Sequence, residues 1–325
     1  MILELGSRIL DLLCDCMEKP QEIDEKEEAD DPFSWGYWRT LYPFEGRRLT
    51  VAGGAVMNYV DEGEGDPVLM VHGNPTWSFF YRRLILALRR EYRCVAPDHI
   101  GCGLSAKPRK YPYNLERHIE NLERLVKELD LRDITLVCHD WGGAIGMGMA
   151  ERHRARIKRL VILNTAAFPS KRIPLRINLC RLPLLGPLAI RGFNLFARAA
   201  VRMAVVEPGR MTPNTVQGYL RPYNNWHNRV ALLRFVQDIP MNSKHPSYPL
   251  LKEIGEGLDA FSDTPMLICW GGRDFCFNDE FLEEWRRRFP KAEVHRFVEA
   301  GHYVLDDAHE EIIPLVKEFL EKNRP

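Results

Sequence analysis

Seven short apolar runs, most of them rich in β-branched residues, alternate with helix-like segments along most of this 325-residue chain. Strands are expected at Val56–Tyr59, Val68–Val71, Arg93–Ala96, Ile134–Cys138, Leu160–Leu163, Met266–Trp270 and Val294–Phe297. Several of these runs are apolar at every position rather than at alternate ones. That pattern suits parallel strands covered on both faces. Helical spacing of apolar residues recurs at Phe79–Arg90, Leu115–Leu129, Trp141–His153, Glu280–Phe289 and Glu310–Asn323. The alternation predicts an α/β fold with a mostly parallel, doubly wound sheet.

One interval breaks the rhythm. About a hundred residues separate the strand near Leu163 from the strand near Met266, and they hold helix-like pieces but no βα repeat. An insertion of that length is expected to form a helical cap over the strand ends. The expected division is therefore a core of 43–167 and 261–325, with a cap of 168–260. Residues 1–17 place Ile2, Leu5, Ile9, Leu12 and Cys16 at helical spacing, and an acidic stretch follows at 22–31. These residues 1–31 read as an amphipathic helix and a solvated connector, either packed on the domain or docking a partner or a membrane surface.

Composition narrows the partners. Lys and Arg together number 45, as do Asp and Glu, so no polyanion footprint follows and nucleic acid is not expected. The eight cysteines form no CxxC pair and no histidine cluster has zinc-ligand spacing, so neither metal nor cofactor is expected. Scattered cysteines and the lack of a signal-peptide pattern favour a cytoplasmic protein, with peripheral membrane association left open through residues 1–17.

The chemistry is expected at the run Ile134-Thr-Leu-Val-Cys-His-Asp-Trp-Gly-Gly143, a buried strand, a tight turn and the start of a helix. It resembles the nucleophile elbow of the α/β-hydrolase fold, with Asp140 where serine is usual, Cys138 in place of the first glycine and Gly142 at the last. Asp is also a favoured helix N-cap, so capping is the rival reading of Asp140. A carboxylate attacks without a general base and forms an ester that can be cleaved again. Substrates with a leaving group on carbon are therefore expected: halides, epoxides or strained lactones. His302 in Ala300-Gly-His-Tyr-Val304 and Asp274 in Trp270-Gly-Gly-Arg-Asp274 follow in the chain order of this fold, as base and orienting acid. His72-Gly-Asn-Pro75 follows an early strand. Backbone N–H groups of Asn74 and Trp141 are expected to stabilise oxyanion charge, and the Asn74 amide and Trp141 indole to receive a departing anion. His72, His99, His139 and Asp98 are read as residues that hold backbone.

These residues resemble the haloalkane dehalogenase family of α/β-hydrolases over roughly residues 43–320. The resemblance implies Asp140 as nucleophile, His302 as base, Asp274 as acid and Asn74 with Trp141 as leaving-group donors, the pattern of the third subfamily, with the cap inserted after the sixth strand. Epoxide hydrolases share the His-Asp-Trp-Gly elbow and need two cap tyrosines, for which Tyr219, Tyr223 and Tyr248 are available. Within the third subfamily, Leu163-Asn-Thr-Ala-Ala-Phe-Pro169, Pro222-Tyr-Asn-Asn-Trp226, Arg234-Phe-Val-Gln-Asp-Ile-Pro240 and Gly301-His-Tyr-Val-Leu-Asp306 are similar to the β-lactone decarboxylases of bacterial long-chain olefin synthesis. That likeness implies an apolar β-lactone substrate converted to a cis-alkene and carbon dioxide, and association with other enzymes of that pathway. Hydrolysis of haloalkanes is the alternative. A non-catalytic ligand-binding protein of this fold is a more distant one.

Overall fold

The computed structural model describes residues 37–324. Eight strands form one sheet: β1 (Arg47–Thr50), β2 (Val56–Glu62), β3 (Pro67–Val71), β4 (Arg93–Pro97), β5 (Ile134–Asp140), β6 (Ile157–Thr165), β7 (Met266–Gly271) and β8 (Glu293–Phe297). Their order is β1-β2-β4-β3-β5-β6-β7-β8. The β1–β2 and β2–β4 pairs are antiparallel, and every later pair is parallel.

The central parallel strands β3, β5 and β7 are wholly buried, because each lies between two cores. In β3, Leu69 and Val71 join one cluster while Val68 and Met70 join the other. In β6, Leu160 and Ile162 face the first, and Val161 and Leu163 the second. Side chains two apart share a face, so continuous apolar runs are what a two-sided sheet requires.

The helices follow the expected order. α1 spans Arg82–Leu88, α2 Leu115–Glu128 and α3 Trp141–Arg152. In α2, Leu115, Ile119, Leu122 and Val126 are buried on one face, and the Asn114 side chain accepts from the Arg117 N–H to start the helix. Between β6 and β7 the chain contains helices only: α4 (Leu175–Leu179), α5 (Leu195–Met203), α6 (Pro213–Leu220), α7 (Val230–Gln237) and α8 (Tyr248–Gly257), with short 3-10 and π turns. The final helices are α9 (Asp279–Arg288), α10 (Val304–Asp307) and α11 (His309–Lys322).

Three expectations change in detail. The first strand, Arg47-Arg-Leu-Thr50, carries no buried residue and so shows no apolar signal. The expected helix at 79–90 begins as a 3-10 turn over Ser78–Tyr81. A separate turn of helix, α10, precedes the last one. The expected N-terminal helix and acidic connector lie outside the described residues. Among those described, no helix is long and apolar enough to cross a membrane.

Candidate active site

Asp140 ends β5 and stands at the N-cap of α3 with φ 53° and ψ −126°, a conformation costly for a residue with a β-carbon. The turn is held from behind. The Thr165 hydroxyl donates to the Asp140 carbonyl, and a β-carbon on Gly142 would overlap the Val71 carbonyl oxygen, so only glycine admits the approach of α3 to β3. Cys138 fits for a related reason: Gly146, one turn into α3, leaves room for its sulfur. The Asp140 side chain makes no capping hydrogen bond to α3, although the Trp141 N–H at the start of that helix lies close enough to favour its anion. The carboxylate accepts instead from the backbone N–H of Asn74, at 2.6 Å from Oδ1.

Three side chains meet there. His302 Nδ1 donates to Asp274 Oδ2 at 2.7 Å, which leaves Nε2 facing Asp140 Oδ2 at 3.6 Å. Asp274 Oδ1 accepts from the Cys276 N–H at 2.6 Å, so both of its oxygens are held. Burial raises Asp140 above the ordinary carboxylate range, while the His302 charge and the N–H groups of Asn74 and Trp141 pull it partly back. For His302 burial opposes the imidazolium. The Asp274 charge and hydrogen bond, with the Asp140 charge, outweigh it, and His302 titrates above the usual imidazole range.

The leaving-group donors divide. Trp141 lines the cavity above Asp140, and its indole N–H has no hydrogen-bond partner among the described residues. The Asn74 side chain does not line that cavity. Its Nδ2 donates to the Leu232 carbonyl in α7 at 3.2 Å, and its Oδ1 is buried without a partner. One of the two amide hydrogens is thereby engaged.

The cavity encloses about 750 Å³ of empty space, part of it open to solvent. Asp140 lies in its wall, and most other lining residues are apolar: Phe168, Ile173, Ile177, Ile239, Met241 and Phe277 among them. The insertion supplies much of that wall, mostly from its loops at 168–174 and 239–241, with Ile177 of α4 and Leu251 of α8. Tyr219, Tyr223 and Tyr248 are absent from it. The Tyr219 hydroxyl donates to Asp306, and the Tyr223 hydroxyl donates to the Thr76 carbonyl, so neither phenol serves as an acid over Asp140.

The histidines expected to hold backbone do so. His139 Nε2 donates to the His302 carbonyl at 2.9 Å, and His72 accepts the His99 N–H at 3.0 Å while His99 Nε2 donates to the His72 carbonyl. Asp98 accepts from the Ser78 and Leu104 N–H groups. Burial lowers His99 to about 4, so it stays neutral.

Sequence reasoning missed several supports. Asn164 clamps Gly271 by two hydrogen bonds, 2.7 and 3.1 Å, tying the tip of β6 to the strand that carries Asp274. Arg82 Nη2 pairs with Asp306 Oδ1 at 2.5 Å, both buried. The Asp307 carboxylate accepts from the N–H groups of Gly301, Val206 and Glu207, and the Tyr303 N–H donates to the Ala204 carbonyl at 2.7 Å. The loop bearing His302 is thus stitched to the insertion. Among the described residues no cluster of three or more His, Cys, Asp or Glu is arranged to hold a metal.

Residues 66–308 match the alpha/beta hydrolase fold family. The chain belongs to that family. Within it, this α/β-hydrolase is 47% identical over 287 residues to a cis-3-alkyl-4-alkyloxetan-2-one decarboxylase of Shewanella oneidensis, covering 86% of this chain and 90% of the relative. A protein of the same name from Xanthomonas campestris pv. campestris is 44% identical, covering 87% and 98%. In structure, the chain superimposes on a haloalkane dehalogenase of Agrobacterium tumefaciens with a TM-score of 0.77 and 26% identity, over 86% of this chain and 97% of that one.

Proposed function

We propose that this enzyme is a cis-3-alkyl-4-alkyloxetan-2-one decarboxylase that opens an apolar β-lactone with Asp140 and releases a cis-alkene and carbon dioxide. One observation carries the reading: 47% identity to a protein of that name over an aligned span of 86% of the chain, too long to leave out the insertion that walls the cavity over Asp140. Asp140 Oδ2 attacks the ring carbon that bears oxygen, and the ring C–O bond breaks to leave a carboxylate on the neighbouring carbon. The Trp141 indole N–H at the cavity wall receives that anion, joined by the Asn74 amide once it turns from the Leu232 carbonyl towards the cavity. Loss of carbon dioxide then forms the double bond as the Asp140–carbon bond breaks, returning the electron pair to the aspartate. Inversion at the attacked carbon followed by anti elimination keeps the two alkyl groups cis. His302, protonated beside Asp140, stabilises the returning carboxylate.

Hydrolysis of haloalkanes is the second reading, favoured by the likeness to the Agrobacterium tumefaciens dehalogenase and by His302 Nε2, which is free of Asp274 and faces Asp140. There halide leaves, and His302 takes a proton from the water that cleaves the alkyl ester. Neither route needs a cofactor. The amphipathic pattern of residues 1–17 supports docking on a partner enzyme of the same reaction sequence or on a membrane from the cytoplasm, tested by comparing co-sedimentation of the full chain and of Leu5→Asp/Ile9→Asp.

The deciding experiment gives purified enzyme a synthetic cis-3,4-dialkyl β-lactone and, separately, a long-chain 1-bromoalkane, with Asp140→Ala as control. Fast Asp140-dependent alkene formation with slow bromide release supports the decarboxylase. Rapid bromide release with the lactone untouched replaces it by the dehalogenase.

A further inference from the structure

We infer that the outer face of the helical insertion docks on an anionic lipid surface. The first observation is charge. Residues 170–237 hold eleven Lys and Arg against a single acid, Glu207, on a chain whose formal net charge is zero. Part of that excess is absorbed inside the fold: Arg172 pairs with Glu280 and Arg210 with Glu310, and Arg202 and Arg221 have interactions of their own. Three of the remaining cations reach no acid. Arg181 bonds Asn178 and the Ile239 carbonyl, Arg191 bonds the Trp226 carbonyl, and Arg229 bonds the carbonyls of Tyr223, Arg191 and Gly192. All of these acceptors are neutral. Arg191 is moreover pushed down in pKa, first by burial and then by the like charge of Arg234, so the cations crowd one another.

The second observation is apolar exposure on the same segment. Leu184 is 88% exposed, Phe193 63% and Leu188 54%, with Leu182, Leu185 and Trp226 also open. They form a connected surface: Phe193 follows the turn from Leu188, Gly192 lies against both Leu188 and Trp226, and the Arg191 guanidinium rests 4.5 Å from the Trp226 ring centroid. Leucines beside a tryptophan and uncompensated arginines match a bilayer interface, where aliphatic groups enter the acyl boundary and guanidinium groups meet phosphate. A polyanion such as RNA would use the arginines and leave the leucines in water.

The same stretch also borders the cavity. Ile173, Pro174 and Ile177 line it, while Leu175 between them is 62% exposed. The chain that carries the docking face thus also supplies cavity wall, a few residues earlier in sequence. The inference holds for either electrophile considered above.

The test is flotation of the full chain with vesicles of equal parts phosphatidylglycerol and phosphatidylcholine, against phosphatidylcholine alone. Wild type floats with the anionic vesicles, and 0.5 M salt or Arg191→Glu/Arg198→Glu releases it. Leu184→Asp/Leu188→Asp lowers binding by roughly tenfold or more, while turnover of a soluble short-chain substrate, which reports an intact fold, is unchanged. Wild type that stays in solution overturns the inference. So does equal flotation of the Leu184→Asp/Leu188→Asp variant, which would mark a purely electrostatic contact. Binding lost only with Leu5→Asp/Ile9→Asp would overturn it in favour of the N-terminal segment. A concentration-dependent dimer that this leucine variant dissolves, without flotation of wild type, would instead mark a surface for a second copy.

Discussion

His139 and His302 stand with ring centroids 4.6 Å apart, and only His302 is set to carry a proton. His139 donates from Nε2 to the His302 carbonyl, is stacked on Phe80 at 4.1 Å, and is held neutral by burial and by the charge of its neighbour. The neutral ring positions the backbone of the residue whose own ring titrates. His139→Leu should therefore lower kcat by roughly 10–100-fold with little change in KM, because reacting groups misplaced by about 1 Å cost that much. A changed KM with kcat intact would place His139 outside this role.

The raised pKa of His302 gives opposite slopes for the two proposed reactions. Ester hydrolysis needs the neutral ring, so bromide release should fall as pH drops through a value above the ordinary ~6.5. Alkene formation assisted by the imidazolium should instead fall as pH rises through that value. Asp274→Asn removes the charge that raises His302 and leaves burial, which lowers it. Its limb should move to lower pH, with a loss of up to about 10⁴-fold in rate. Profiles of both products against pH, on wild type and variant, check this.

Asp140 is a cost to the fold. Its carboxyl is raised in the native state, so it destabilises above that raised value and the penalty disappears below the unfolded value of about 3.9. Asp140→Asn keeps an acceptor for the Asn74 N–H and should stabilise by about 1 kcal/mol at pH 8. The gain, read from Tm, should vanish near pH 3 while activity is absent throughout.

Arg82 and Asp306 are both buried and directly paired, and Tyr219 completes the pair from α6. Asp306→Ala strands a guanidinium in the interior and should cost about 3–5 kcal/mol. Replacing the set by Arg82→Met, Asp306→Leu and Tyr219→Phe should recover most of that loss in denaturant unfolding. A variant as unstable as the single change would contradict the electrostatic account.

Much of the fold was legible because a sheet buried on both faces writes continuous apolar runs, as in Val68–Val71 and Ile134–Cys138. Edge strand β1 was not, since Arg47, Arg48 and Thr50 are exposed and Leu49 alone packs on the core, too little for a periodic signal. In the site, Asp140, Asp274 and His302 were readable from their order after strands, and the structure brings them together. The partner of the Asn74 amide was not readable. It is a backbone carbonyl 158 positions away, and any residue at 232 would offer the same oxygen. Thr165 and Asn164 escaped for the same reason: they act on main-chain atoms of Asp140 and Gly271.

The contacts of Asp307 with Gly301, Val206 and Glu207, and of Tyr303 with Ala204, bear on how such proteins can be recombined. The insertion is wired by its own main chain to the segment that carries His302, so it is not an interchangeable module. A chimera that grafts a relative's insertion must carry the 204–207 backbone path and the 301–307 turn as one unit, or the histidine loses its footing. New substrate ranges in this scaffold are thus reached more readily by exchanging side chains on the cavity wall than by exchanging the whole segment.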